Sequence, residues 1–141
     1  MNAASVLTQI MAREEHGELD APQCANFMRC ILAQLVPRFP AITPRALELG
    51  DRYWSGEARE DAIASTRGEI AGRRDNAPAA LDAALGALMC YLSPRTLTSE
   101  FAGETLVYFV NWIEMVSPGF DYSAAWLSAF GEHVYARSGD I

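Results

Sequence analysis

Apolar residues along this chain recur every three or four positions almost from end to end, and no stretch alternates with a period of two. The pattern therefore predicts helices and no strands. The first predicted helix covers residues 3–15, with Val6, Leu7, Ile10 and Met11 facing inward and Gly17 stopping it. The second, 21–36, carries the stripe Cys24, Phe27, Met28, Ile31, Leu32 and Leu35, and Pro37 and Pro40 end it. Thr43 followed by Pro44 reads as a helix start: a capping hydroxyl, then a proline at the first helical position, where its missing N–H costs nothing. That third helix sets Ala46, Leu47, Gly50, Tyr53 and Trp54 inward, and Gly56 stands where a left-handed C-terminal cap belongs.

The fourth helix, 58–73, has only Ala62, Ile63, Thr66 and Ile70 as a stripe and is expected on the surface. Asn76 is expected to cap the fifth, 77–92, with Leu81, Leu85, Leu88 and Leu92 in register. Its Ala80, Ala83, Ala84, Gly86 and Ala87 are small enough to let a neighbour come close. Ser93-Pro94 is expected to break the chain. The sixth helix, 99–116, is apolar on two faces: Leu106, Phe109, Val110, Ile113 and Val116 on one, Tyr108, Trp112 and Met115 on the other. With six other helices available, both faces are expected to be buried. If one is exposed, the aromatic second face has the character of an interface anchor. Asp121 is expected to cap a last helix, reaching 136, that carries Trp126, Leu127, Phe130 and Val134. No linker, low-complexity segment or internal repeat divides the chain, so residues 1–141 read as a single all-α domain, a compact bundle of six to seven short helices.

Composition narrows what such a bundle can do. The formal net charge is −7, which disfavours a nucleic-acid surface, where clustered cations must displace phosphate counterions, and an anionic membrane. It favours a basic protein partner. All 11 basic residues are arginine. The absence of lysine excludes a Walker-type phosphate loop, a Schiff-base lysine and a kinase strand lysine, and in itself reads as compositional bias. Cys24, Cys30 and Cys90 lack metal-ligand spacing, and Cys24 and Cys30 sit on different sides of one helix. They read as reduced thiols of a cytoplasmic protein. The first twenty residues lack the basic and apolar regions of a signal peptide. The longest apolar run, 106–116, is too short to span a bilayer.

Candidate chemistry is sparse. His16 and His133 stand near opposite ends of the chain, and neither a zinc-protease helix nor the Glu-x-x-His pairs of di-iron bundles is present. Glu100 and Glu104, one turn apart, are more simply placed to complement a helix dipole than to hold a cation. No nucleophile elbow or phosphate-cradling glycine motif occurs. The reading is thus of no catalytic residues, no cofactor and no metal. The acidic residues cluster in "ELGDRYWSGEARED", where Glu48, Asp51, Glu57, Glu60 and Asp61 interleave with Arg45, Arg52 and Arg59. Most of these charges suit a solvated helix pair with local ion pairs. As a patch, Asp51, Glu57, Glu60 and Asp61 could dock onto a basic partner, with charge steering raising the association rate.

One resemblance adds to this. Cys24-Ala25, the loop with Pro40, the start Pro44-Arg45-Ala46, Trp54, and the Gly56-Glu57 corner, followed by the Ala-rich fifth helix, resemble small, Ala-rich, all-helical immunity proteins of bacterial polymorphic toxin systems. The resemblance covers residues 21–92. It implies a cytoplasmic inhibitor that neutralises a cognate toxin by stoichiometric binding and occlusion, without chemistry of its own. Partner-contact candidates are Asp51, Glu57, Glu60 and Asp61 at the corner and Tyr108, Trp112 and Met115 on the sixth helix. Two other classes stay open. One is a bundle binding a small apolar ligand, or a small enzyme, with a cavity lined by the sixth helix and by Asn111 or Tyr108. The other is an adaptor or chaperone of a secreted effector, with the apolar stripe in a free groove.

Overall fold

In the computed structural model, which describes residues 1–135, the chain is all-α. Eight helices follow one another: α1 Ala3–Glu15, α2 Ala21–Leu35, α3 Thr43–Trp54, α4 Glu60–Arg74, α5 Ala79–Tyr91, α6 Pro94–Leu97, α7 Ala102–Val116 and α8 Ser123–Phe130. A single 3-10 turn, Val36–Arg38, ends α2. No strand occurs among the described residues.

The core is built around α2 and α7. Each residue of the α2 stripe is buried: Cys24, Phe27, Met28, Ile31 and Leu32 completely, Leu35 almost so. Burying a side chain of this size stabilises the fold by about 1.5–3 kcal/mol. Phe27 stands at the centre of an aromatic cluster with Phe109, Tyr122, Trp126 and Phe130, whose ring centroids lie 5.9–6.5 Å from its own. From α7, Leu106, Phe109, Val110 and Ile113 complete this core. The closest helix pairing is α5 against α7. A Cβ on Gly86 would lie 2.7 Å from the Trp112 ring, so the glycine is a steric requirement of the seam.

The helix ends explain the loops. Gly56 takes φ +84°, and the Glu57 amide donates to the Arg52 carbonyl at 2.7 Å and the Gly56 amide to that of Tyr53 at 3.1 Å. This is the paired closure expected of a left-handed glycine after a helix. Gly17 ends α1 in the same way, with Glu18 bonding back to Arg13. On α4 only Ile63 and Ile70 are buried, as expected of a surface helix.

Several expectations are corrected. Thr43 does not cap α3. It lies inside the first turn, fully buried, and its hydroxyl has no partner. Asn76 does not cap α5 but takes φ 61°, a left-handed conformation asparagine tolerates, and turns the chain between α4 and α5. Ser93-Pro94 does not merely break the chain: Pro94 opens a short helix, α6, that the sequence pattern does not predict, and the predicted sixth helix begins at Ala102 rather than 99. Met11 is 61% exposed, while Gln9 and Arg13 take inward positions on α1. Leu127 is also exposed, and α8 ends at Phe130, which leaves Val134 exposed outside any helix. Position 136, the predicted end of that helix, lies outside the described residues.

Gln9 and Arg13 are inward because both find partners there. Gln9 clasps the backbone of Tyr135, donating to its carbonyl at 3.0 Å and accepting from its amide at 2.7 Å. The Arg13 guanidinium lies 4.6 Å from the Phe130 ring centroid, and its Nε donates to the Glu18 carbonyl.

Candidate functional site

The seven partner-contact candidates fall into three places. Asp51 sits near the end of α3 and is held by Arg29 of α2 in a two-pronged ion pair, 2.5 and 2.8 Å. With Asn26, Trp54 and Tyr91 the pair lines a small cavity of about 200 Å³. Glu57 and Asp61 are exposed and make no ion pair with another described residue. Glu60 accepts from Arg95 Nε and Nη2 at 2.9 and 2.6 Å, and these hydrogen bonds hold its carboxyl below the usual range. The corner is therefore a mixed surface. Asp51 and Glu60 are already neutralised by arginines, whereas Glu57 and Asp61, like Glu48, are unpaired among the described residues beside the equally unpaired Arg52 and Arg59.

The third place is α7. Tyr108 and Met115 are each 54% exposed, against the expectation that this face would be buried. Trp112 between them is half-buried, seated on Gly86 with the Arg74 guanidinium 5.3 Å from its ring centroid. Arg74 is itself held by Asp82 at 2.8 Å, a bond that lowers the Asp82 carboxyl. Tyr108 donates to Glu104 at 3.2 Å. The other side of α7 is fully taken up by the core, so the exposed stripe rests on a rigid backing. Helix α5, which contacts α3, α4 and α7, lies between this stripe and the acidic corner.

A cavity of about 560 Å³ opens between the start of α4, the end of α5 and α6. Glu60 and Asp61 line it on one side, Arg95 and Thr96 on another, and Ile63, Ala64, Leu92 and Pro94 give it an apolar wall. Arg67 also lines it, and sequence reasoning passed this residue over. Its Nη1 donates to the Met89 and Leu92 carbonyls at 3.0 and 2.7 Å and to the Ser93 hydroxyl, closing the C-terminal end of α5. It forms no ion pair among the described residues. Burial pulls its pKa below the ordinary arginine value. The available sequence signal was its place three residues from Ile70 and four from Ile63, on the edge of the only apolar stripe of α4.

Two of the thiols, Cys24 and Cys90, are poor nucleophiles. Burial pushes Cys24 up to about 12 and Cys90 to about 11, so neither supplies much thiolate near neutral pH. No group of three His, Cys, Asp or Glu residues able to hold a metal ion occurs among the described residues. Nor is any described helix long and apolar enough to cross a membrane. Neither Asn111 nor Tyr108 lines the three cavities at the α4–α6 cleft, at Asp51 and beside Pro40. The chain matches no protein-family model, no curated protein and no solved structure.

Proposed function

We propose that this protein is a stoichiometric inhibitor, a bacterial immunity protein of the kind that residues 21–92 resemble. It would act in the cytoplasm by covering the active site or substrate cleft of a basic toxin. The observation that carries the reading is the exposed stripe Tyr108 and Met115 on either side of half-buried Trp112, presented by a helix whose opposite face is locked into the core. Large side chains held on a rigid backing cost little conformational entropy to bind, which is the character of interface anchors. The charge of −7 and the free carboxylates Glu57 and Asp61 would steer a basic partner toward the surface.

The test is co-expression with the cognate toxin domain and measurement of growth rescue, with binding kinetics on the purified pair. Tyr108→Ala with Met115→Ala should abolish rescue and accelerate dissociation. Glu57→Arg with Asp61→Arg should slow association and flatten its salt dependence. If the stripe variant rescues fully and binds as the parent does, α7 is not the contact surface and the reading fails on its main support.

A further inference from the structure

The α4–α6 cleft contains an unresolved account of charge. Arg67 is half-buried, and every hydrogen bond it makes among the described residues leaves from one nitrogen, Nη1. The carbonyl end of α5 that receives those bonds supplies roughly half a negative charge. Its Nε and Nη2 donate to no described group, and no described carboxylate pairs with it. A half-buried cation left partly uncompensated favours an anion that can enter beside it. The Thr96 hydroxyl, in the same lining, is likewise without a partner among the described residues. Of the cleft's acids, Glu60 is bound to Arg95, and Asp61 is unpaired among the described residues, its exposed charge screened by water and salt.

The apolar wall says what the anion is attached to. Ile63, Leu92 and Pro94 are buried residues that show an edge to the cleft, with Ala64 beside them. An inorganic anion would leave that wall wet, whereas a short branched hydrocarbon would cover it. We propose that the cleft binds a carboxylate carried on a small apolar group, its two oxygens taken by Arg67 Nε and Nη2 in fork geometry and by the Thr96 hydroxyl, its hydrocarbon against Ile63, Leu92 and Pro94. The volume, about 560 Å³, falls within the span of ordinary small-molecule sites, about 300–1,000 Å³. The ligand is either a free branched-chain acid or the C-terminal carboxylate of a chain ending in an apolar residue. This site is separate from the α7 stripe that carries the inhibitor reading, although Glu60 and Asp61 belong both to its lining and to the acidic corner.

The probes are isovalerate, isovaleramide, and acetyl-glycyl-valine with a free or an amidated C-terminus, titrated into the full chain and followed by the Arg67 Nε and backbone amide resonances of residues 92–97. Isovalerate should shift these signals saturably and isovaleramide should not. Arg67→Lys, which keeps a donor for the α5 carbonyls but loses the fork, should weaken isovalerate about tenfold. Ala64→Trp, at an exposed position, should fill the cleft and remove binding with Arg67 intact. Tighter binding of the free-acid peptide than of isovalerate assigns the site to a chain terminus, and the reverse order assigns it to a free acid. The proposal is overturned if isovaleramide shifts the same signals as strongly, if isovalerate gives no saturable shift, or if Arg67→Lys and Ala64→Trp both bind as the parent does.

Discussion

Helix α5 is packed in two different ways on its two sides. Toward α7 the contact is dry and close, made possible by Ala83, Ala87 and Gly86, with Trp112 lying directly on the glycine. Toward α4, whose Ile63 and Ile70 are also buried in the core, long polar arms add to the contact: Arg67 reaches the α5 carbonyls, and Arg74 reaches Asp82. Arg95 of α6 ties back to Glu60 at the start of α4. Small residues bring backbones together and leave nothing between them. Arginine arms add long polar ties between helices, and the cleft opens beside them, between α4 and α6. The helix thus forms a tight seam on one side, and just past its last turn Leu92 and Ser93 join α4 and α6 in lining the cleft.

This comparison can be broken from the seam side first. Gly86→Ala should cost the most, about 1–3 kcal/mol of overpacking against the Trp112 ring, only partly offset by the roughly 1 kcal/mol of better helix propensity. Urea denaturation reads it, and in a Trp112→Leu background most of the penalty should vanish. Gly103→Ala is the sharpening control. Its added methyl would meet the carboxylate of Glu14, the far end of an exposed side chain that can swing away, so stability should hold or rise.

On the polar side the expected effects are smaller. Arg67→Ala removes the closure of the α5 end and should lower stability by about 1–2 kcal/mol, with hydrogen exchange accelerating at residues 88–92. Acid tests the same side by a different route. The carboxyl of Asp82 is held down by Arg74. That of Asp121 is held down to about 2 by the Ser123 hydroxyl and amide and by the Met1 amino group. A group depressed on folding stabilises fully above its unfolded value, near about 4 for these acids, and loses that contribution as pH falls through the folded one. Unfolding midpoints should therefore drop between roughly pH 4 and pH 2, while the Gly86→Ala penalty stays constant. Glu60→Gln should be the weakest of all. Its partner Arg95 is 85% exposed, so the midpoint at neutral pH should not move measurably.

The packed side was also the legible side. The α2 stripe, the small-residue face of α5 and the Gly56 closure follow from spacing and residue type alone, because burial and left-handed backbone each demand a narrow set of residues. The polar side was not legible, because its contacts join residues far apart in sequence. Arg67 meets Met89 and Ser93, and Glu60 meets Arg95, and no periodicity encodes either pairing. Local signals misled where a competing local solution existed. The Thr43 amide bonds to the Pro40 carbonyl, and the Ala46 amide bonds to that of Ile42, so the α3 turn begins before the threonine and its hydroxyl is carried into the core. Pro94 served as a helix start as readily as a stop. On α7 the apolar pattern overstated burial, since Tyr108 and Met115 satisfy helix spacing equally well facing solvent.

The seat of Trp112 also has an optical consequence. Trp126 is buried in the aromatic cluster and Trp54 borders the small cavity of Asp51, whereas Trp112 alone lies on the α5–α7 seam with a guanidinium across its ring. In a variant retaining only this indole, emission would act as a built-in gauge of that seam. Its wavelength and quenching would register a separation of α5 from α7, or a molecule settling on the stripe beside it, without any attached dye.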